Sequence, residues 1–318
     1  MSLLIEKAAF LMSVQDEGRI GYRRYGLPTS GPMDWWAFRC ANRLIGNHSG
    51  AACLEVGFSA SLIRLQSDAL IAVCGAGFEL KLNHQVMPMW MAFLAKRGDF
   101  LTFRKTPGGN WAYLAAAGGM QSPKWLGSRS VYPRAELGGM LSDGDQVRLV
   151  DLKYDSRRLA GQRIPDTERP PYASNPTVHV IPGLHQARFQ AESLIDFRDS
   201  AYRVSAQSDR MGYRLMGPDL KLNDGSDLIS QGMVPGEIQV PRDGQPIVMM
   251  ADHPTTGGYP CLGTVAKVDL PLLAQTEPLR NKVHFKPIQL EDARALLLER
   301  LEQLNRPIDV QEDQWLQL

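Results

Sequence analysis

The sequence predicts a mainly β fold in two halves, and three observations carry that prediction. Apolar runs of four to eight residues recur along the chain, often alternating, and are separated by Gly, Pro, Asp or Asn. Helical periodicity is confined to a few short stretches. An eight-residue element also occurs twice, as "RIGYRRYG" at 19–26 and "RMGYRLMG" at 210–217, with Arg, Gly, Tyr, Arg and Gly in register 191 positions apart. A chain of 318 residues, 44% hydrophobic and 22% charged, is long enough for two cores of about 130 to 150 residues each.

In the first half, strands are expected at 59–66, 68–75, 78–85, 99–105, 111–118 and 145–152. The second half repeats the texture at 177–183, 201–207, 237–244, 245–252 and 282–288. Such spacing suits closed or sandwiched β structure. "IRLQSD" at 63–68 and "IQVPRD" at 238–243 both set an isoleucine five residues before a turn-opening aspartate, at an offset of 175 rather than 191. The ordered pair of similar elements favours an internal duplication with an insertion, and hence two related barrels. Helices are expected at 33–47, ending in Gly46-Asn47, and at 290–305, with acids in the first turn and Pro307 beyond its end. A short helical turn is expected at 269–278. The polar, proline-rich stretch 153–176 reads as a linker or long surface loop. The expected domains are therefore a β-barrel-like domain over 1–160 and a β-barrel domain with a C-terminal helix over 161–318.

Composition excludes several function classes. With 35 basic and 34 acidic residues there is no global field for nucleic acid or anionic lipid, which favours a small, compact substrate. The N-terminal stretch carries Glu6 and Lys7 and no small-x-small cleavage signal, so a cytoplasmic location is expected. The longest apolar run, 86–95, is half the roughly 20 residues of a membrane helix. Cys40, Cys53, Cys74 and Cys261 are widely spaced and read as buried thiols, and the histidines, His179 and His185 included, show no ligand spacing, so no metal is expected.

Three glycine-rich stretches concentrate polar side chains: 14–34, 207–218 and 238–260. In "ADHPTTGGYP", Asp252 ends a buried-type strand before Thr255, Thr256, Gly257, Gly258 and Tyr259. Hydroxyls and N–H groups there suit an anionic oxygen, and the same residues equally suit an aspartate-initiated hairpin turn. In "SDRMGYR", Asp209, Arg210, Tyr213 and Arg214 offer a base, two forked cations and a phenol, matching a small planar oxyanion or, alternatively, a structural Arg–Asp pair bridging two barrels. Their counterparts Asp16, Arg19, Tyr22 and Arg23 read as a structural second copy. Gln239, Asp243 and Gln245 flank a sharp turn where amides can orient a lactam or urea, or where D-G is simply a hairpin. No G-x-x-x-x-G-K-[ST] loop, G-x-S-x-G elbow or biotin-attachment lysine is present, so such cofactor chemistry falls to partners.

From about Val14 to Phe285, the chain resembles the KipA-like family, also called allophanate hydrolase subunit 2 or the C subunit of 5-oxoprolinase, a biotin-dependent carboxyltransferase-like family. The resemblance runs through "VQDEGRIGYRRYGLPTSGPMDWWAFRCANRLIGN", "ACLEVGFSASL", "VCGAG", "YLAAAGG", "SDRMGYRL", "GEIQVPRDGQPIVMMAD", "TTGGYP" and "DLPLLAQ". It implies cyclophilin-like β-barrels and work within a multi-subunit assembly. With KipI-like and LamB/YcsF-like subunits, such proteins look like an ATP-dependent 5-oxoprolinase that opens 5-oxoproline to glutamate. Related domains move carboxylate from biotin to urea, and another relative is a non-catalytic regulator that binds a KipI-like protein. The resemblance implies ATP held with or by partner subunits, biotin on a partner in the carboxyltransferase case, and no metal beyond Mg-ATP. It carries the need for anion clamping and carbonyl polarisation onto Arg210, Tyr213, Arg214, Gln239, Asp252, Thr255, Thr256 and Gly258. Arg210 and Arg214 are expected to hold carboxylate or phosphate, Asp252 to act as base or orient a polar group, and 255–258 to bind an oxyanion. Cys261, Leu262 and Gly263 depart from the family pattern, which commonly has a basic residue followed by an aliphatic pair there.

Overall fold

The computed structural model describes residues 1–150, 157–225 and 228–308. It is mainly β and divides into two compact units. One comprises Met1–Arg19, Ser30–Pro170 and the described residues from Gln303 onward; the other comprises Ile20–Thr29 and Pro171–Glu302. Three segments depart from the boundary expected at 160: residues 161–170 count with the first unit, residues 20–29 with the second, and the described residues from Gln303 onward with the first.

The first unit is two antiparallel sheets. One runs Met120–Gln121, Gln146–Leu149, Ser2–Lys7, Ser61–Leu65, Phe100–Lys105, Phe78–Leu82 and Gln85–Met87. The other runs Leu11–Gln15, Cys53–Gly57, Trp111–Ala116, Ala69–Gly75 and Met91–Ala95. Their facing side chains, including Ile5, Leu54, Ile63, Val73, Phe103 and Leu114, form one apolar core. Trp111–Ala116 is buried at every position because its other face lies under helix α1, Trp35–Leu44. That double burial explains why these strands read as unbroken apolar runs rather than alternating ones. Asp34 caps α1, its carboxylate accepting from the Ala37 N–H at 2.9 Å.

The second unit is a closed seven-stranded barrel in the order Thr177–Pro182, Cys261–Val265, Glu237–Gln239, Ile247–Met249, Gly212–Met216, Ala201–Val204 and Lys282–Pro287. Its closing pair, Thr177–Pro182 with Lys282–Pro287, is parallel, and every other pair is antiparallel. Helix α2, Ala191–Asp199, sets Phe197 on Phe285 with ring centroids 4.6 Å apart, and the short helix α3, Leu270–Ala274, follows Cys261–Val265. Helix α4, Leu290–Gln303, is largely exposed.

Two expectations change. Residues 157–170 are not a free linker: Ile164 is buried, Trp36 Nε1 donates to the Glu168 carbonyl at 3.1 Å, and Arg43 pairs with Glu168 at 2.8 Å. Residues 153–156 of that stretch, and 151–152 of the strand expected there, lie outside the described residues. The repeated element is not repeated in three dimensions. At 210–217 it yields the barrel strand Gly212–Met216, whereas at 19–26 it forms a 3-10 turn, Arg23–Tyr25, with Gly21 and Gly26 at φ of +94° and +81°. Left-handed glycines break the ladder in the first copy, while Gly212 lies within a paired strand in the second.

Candidate functional site

In the second unit, the paired strands Gly212–Met216 and Ile247–Met249 extend past their ends. Met250 N–H donates to the Met211 carbonyl at 3.0 Å, and Asp252 N–H donates to that of Arg210 at 2.8 Å. This register places Arg210 opposite Asp252, both about 5% exposed. The guanidinium closes on the carboxylate in two-toothed fashion, Nε to Oδ2 at 2.7 Å and Nη2 to Oδ1 at 3.2 Å. The geometry is a structural Arg–Asp pair, but one made within the second unit rather than bridging two barrels. A carboxylate with both oxygens engaged is a poor general base, and a buried guanidinium so committed is a poor clamp for an incoming anion.

Tyr213 and Arg214 fall on opposite faces of their strand because side chains alternate. Tyr213 points inward, 1% exposed, and donates its hydroxyl to the Ala274 carbonyl at 2.9 Å, tying α3 to the barrel. Arg214 faces outward and is exposed, so it does not converge with Arg210 on one anion. Gln245 brackets Gly217, accepting from its N–H at 3.0 Å and donating to its carbonyl at 3.1 Å, while Asp243 accepts the Gln245 N–H at 3.1 Å. These two residues build a turn on the surface rather than a lactam-orienting pair.

The 255–259 segment is a hairpin arm: Thr256–Gly257 pairs with Gln231–Gly232, Thr255 accepts from Met233 N–H at 3.1 Å, and Gly258 accepts from Leu228 N–H at 2.8 Å. Neither Gly257 nor Gly258 has positive φ, so the anion-binding nest, which needs alternating handedness, does not form there. Glycine is required for closeness instead. A Cβ on Gly257 would meet Met233 Sδ at 2.4 Å and the Gln239 amide at 2.7 and 2.9 Å, and one on Gly258 would meet the Leu228 carbonyl at 2.8 Å. Beneath it, buried Gln239 donates to Glu237 at 3.1 Å, and Glu237 accepts from Val234 N–H at 3.2 Å. Thr256 and Tyr259 remain exposed on the arm. Burial, with Glu237 nearby, pushes the Cys261 thiol up to about 12 and favours the protonated thiol.

Sequence reasoning passed over His253, which is 1% exposed beside Asp252. Its Nδ1 lies 2.6 Å from the Pro254 carbonyl, which can only accept, so Nδ1 carries the proton. Nε2 then presents its lone pair to the Arg23 guanidinium at 3.1 Å, and Arg23 also donates to the Met233 carbonyl. Burial, with the Arg23 charge adding to it, holds the imidazole below its ordinary value despite Pro254 and Asp252, keeping it neutral. Arg23 is thus a clasp between the 20–29 segment and the 250–254 loop, within the second unit. Only the adjacency of His253 to Asp252 in "ADHP" signalled this site in the sequence.

In the first unit, Asp16 accepts from Gly18 N–H at 2.9 Å, Arg129 N–H at 2.6 Å, Ser128 Oγ at 2.5 Å and Ser130 Oγ at 2.7 Å. Burial works to raise its pKa, but these donors together lower it below the usual aspartate value. Arg19, 1% exposed, donates to Ser30 Oγ at 3.0 Å and to the Ser130 carbonyl. Tyr22 lies tilted against Tyr25 with ring centroids 6.3 Å apart. Among the described residues no group of three or more His, Cys, Asp or Glu could hold a metal ion, and no helix is long and apolar enough to cross a membrane.

Similarity to known proteins extends over most of the chain. It is 36% identical over 295 residues to the C subunit of 5-oxoprolinase from Escherichia coli (strain K12), spanning 92% of this chain and 93% of that one. It is 31% identical to the C subunit of the Haemophilus influenzae 5-oxoprolinase, over 93% of this chain and 96% of that one. The crystal structure of the K. lactis urea amidolyase superposes on 96% of this chain with a TM-score of 0.89 at 29% identity, the match spanning only 20% of that far longer polypeptide. Residues 25–287 match the family model described as carboxyltransferase domain, subdomain A and B, and a match of that extent makes the chain a member of this carboxyltransferase-domain family.

Proposed function

We propose that the chain is the C-type subunit of an ATP-dependent 5-oxoprolinase, opening 5-oxoproline to L-glutamate together with a KipI-like and a LamB/YcsF-like subunit. The observation that carries this reading is the end-to-end match to the C subunit of the Escherichia coli 5-oxoprolinase, at 36% identity over more than nine-tenths of both chains. The chemistry fits a division of labour among subunits. A lactam is a resonance-stabilised amide with a poor leaving group, so ring opening is coupled to ATP. That this chain has no Walker-type phosphate-binding loop supports placing ATP with or on the partner subunits.

In this reading the Arg210–Asp252 pair is a brace, holding the 250–258 segment while Thr256 and Tyr259 present polar groups on its exposed side. Asp252 is a positioning residue, and catalytic groups come from the assembled complex. The test is reconstitution: the chain with its KipI-like and LamB/YcsF-like partners, ATP and 5-oxoproline should release glutamate and ADP in equal amounts. No glutamate above background would overturn it.

The match to a urea amidolyase structure favours a second reading, a biotin-dependent carboxyltransferase subunit acting on urea or a similar amide. The chain carries no biotin-attachment lysine, so biotin would ride on a partner. Inhibition by avidin separates the two readings, because the 5-oxoprolinase reaction has no biotin to sequester.

A further inference from the structure

The two sheets of the first unit leave a gap between edges. On one side, the free edge of Leu11–Gln15 is bonded not by a strand but by a loop: Leu141 N–H donates to the Met12 carbonyl at 2.8 Å and Val131 N–H to that of Val14 at 3.2 Å. On the other side stand Met120–Gln121 and Gln146–Leu149, the margin of the larger sheet. Between them lies a cavity of about 620 Å³, within the size range of small-molecule sites.

Its walls combine two chemistries. Val14, Val131 and Val147, each no more than 5% exposed, and the Trp125 indole provide an apolar interior. Gly138 keeps that indole close, since a Cβ there would lie 2.7 Å from the ring. Arg129 and Arg148 line the same cavity, and no acidic residue does. Arg129 is fixed in place, its N–H on Asp16 at 2.6 Å and its guanidinium donating to the Ser122 carbonyl. Arg148 is exposed and has no acidic partner among the described residues. Ser122 Oγ, in the same wall, is buried with no hydrogen-bond partner. Two cations, an apolar interior and an unused hydroxyl suit an anion on an apolar body, because a guanidinium engages a carboxylate by two parallel hydrogen bonds while the body leaves water.

We infer that this cavity is a binding site for a small carboxylate carried on an aromatic or branched aliphatic body. All of its lining residues belong to the first unit, and it does not depend on which reaction the complex performs.

Calorimetric titration of the full chain tests it, with 3-phenylpropionate as probe and 3-phenylpropionamide as its uncharged counterpart. The acid should bind, and the amide should bind at least about tenfold more weakly. Arg148→Gln, an exposed change that leaves the fold intact, should weaken acid binding about tenfold, and Trp125→Ala should weaken acid and amide together. 5-Oxoproline, whose carboxylate sits on a small ring carrying a polar lactam, should bind more weakly than 3-phenylpropionate. Absence of binding at millimolar acid, equal affinity for acid and amide, wild-type affinity in Arg148→Gln, or tighter binding of 5-oxoproline would each overturn the inference.

Discussion

The two copies of the Arg-x-Gly-Tyr-Arg element pair one sequence with two environments. At 210–217 the element is a barrel strand whose arginine is committed to a buried aspartate 42 residues on. At 19–26 it is a left-handed turn whose second arginine reaches the histidine beside that same aspartate. The carboxylates differ likewise: Asp252 is charge-paired with one guanidinium, whereas Asp16 is held by hydrogen bonds from two backbone N–H groups and two serine hydroxyls. The difference teaches that the copies are not equivalent halves of a duplicated site but parts that meet at one place, the 250–254 loop.

Breaking the buried pair should have the largest effect. Arg210→Ala or Asp252→Ala strands a charge about 5% exposed, and chemical denaturation should register a loss of about 3–5 kcal/mol. The double change Arg210→Met with Asp252→Leu should recover most of it; if it does not, the pair does more than hold the loop. Next comes Gly257→Ala, whose Cβ lands 2.4 Å from Met233 Sδ and should cost about 1–3 kcal/mol, against little change for Gly232→Ala, where nothing lies within 4 Å.

Arg23→Ala should cost about 1–2 kcal/mol by leaving His253 Nε2 and the Met233 carbonyl without their donor, while Arg24→Ala, which removes only an exposed stacking contact over Tyr25, should have less effect. The same clasp sets a pH dependence. His253 has a folded pKa below its ordinary 6.5, so below 6.5 the unfolded chain binds the proton first. Stability is therefore full above that value and falls as pH drops from 6.5 through the lowered folded value; His253→Gln should flatten this slope in denaturation series across the window. The smallest effect is expected for Arg214→Ala, an exposed change that should leave the unfolding midpoint unmoved. Loss of glutamate release in that variant, with the midpoint unchanged, would make Arg214 a contact for substrate or partner.

Much of the fold was legible because the strands obey simple rules. Ser61–Leu65, Phe78–Leu82 and Thr177–Pro182 alternate, and α1 shows its end in Gly46-Asn47. Strands Ser2–Lys7, Leu11–Gln15, Cys53–Gly57 and Met91–Ala95 were missed as strands: the first two read as an apolar terminus, and the last was part of an uninterrupted run. Helix α2 was missed because its apolar face is thin, with only Ser193 and Phe197 buried. At the candidate site, residue types were legible and partnerships were not. "SDRMGYR" contains both an acid and arginines, yet Arg210 pairs with an aspartate in a different stretch, a choice made by strand register. His253 stood in plain view, but a histidine next to an aspartate signals little until a third group, here Arg23, is brought to it from 230 positions away.

Because residues 20–29 cluster with Pro171–Glu302 while both flanking segments cluster with the first unit, no single scissor cut in the gene yields two whole pieces. A recombinant fragment starting at 171 would lack Arg23 and leave the lone pair of His253 without its guanidinium, whereas a fragment ending at 170 would carry ten residues that belong elsewhere. Dissection of this protein by expression of halves would thus report on damaged units, and a circularly permuted or trans-complemented design would need to keep the 20–29 strap with its host.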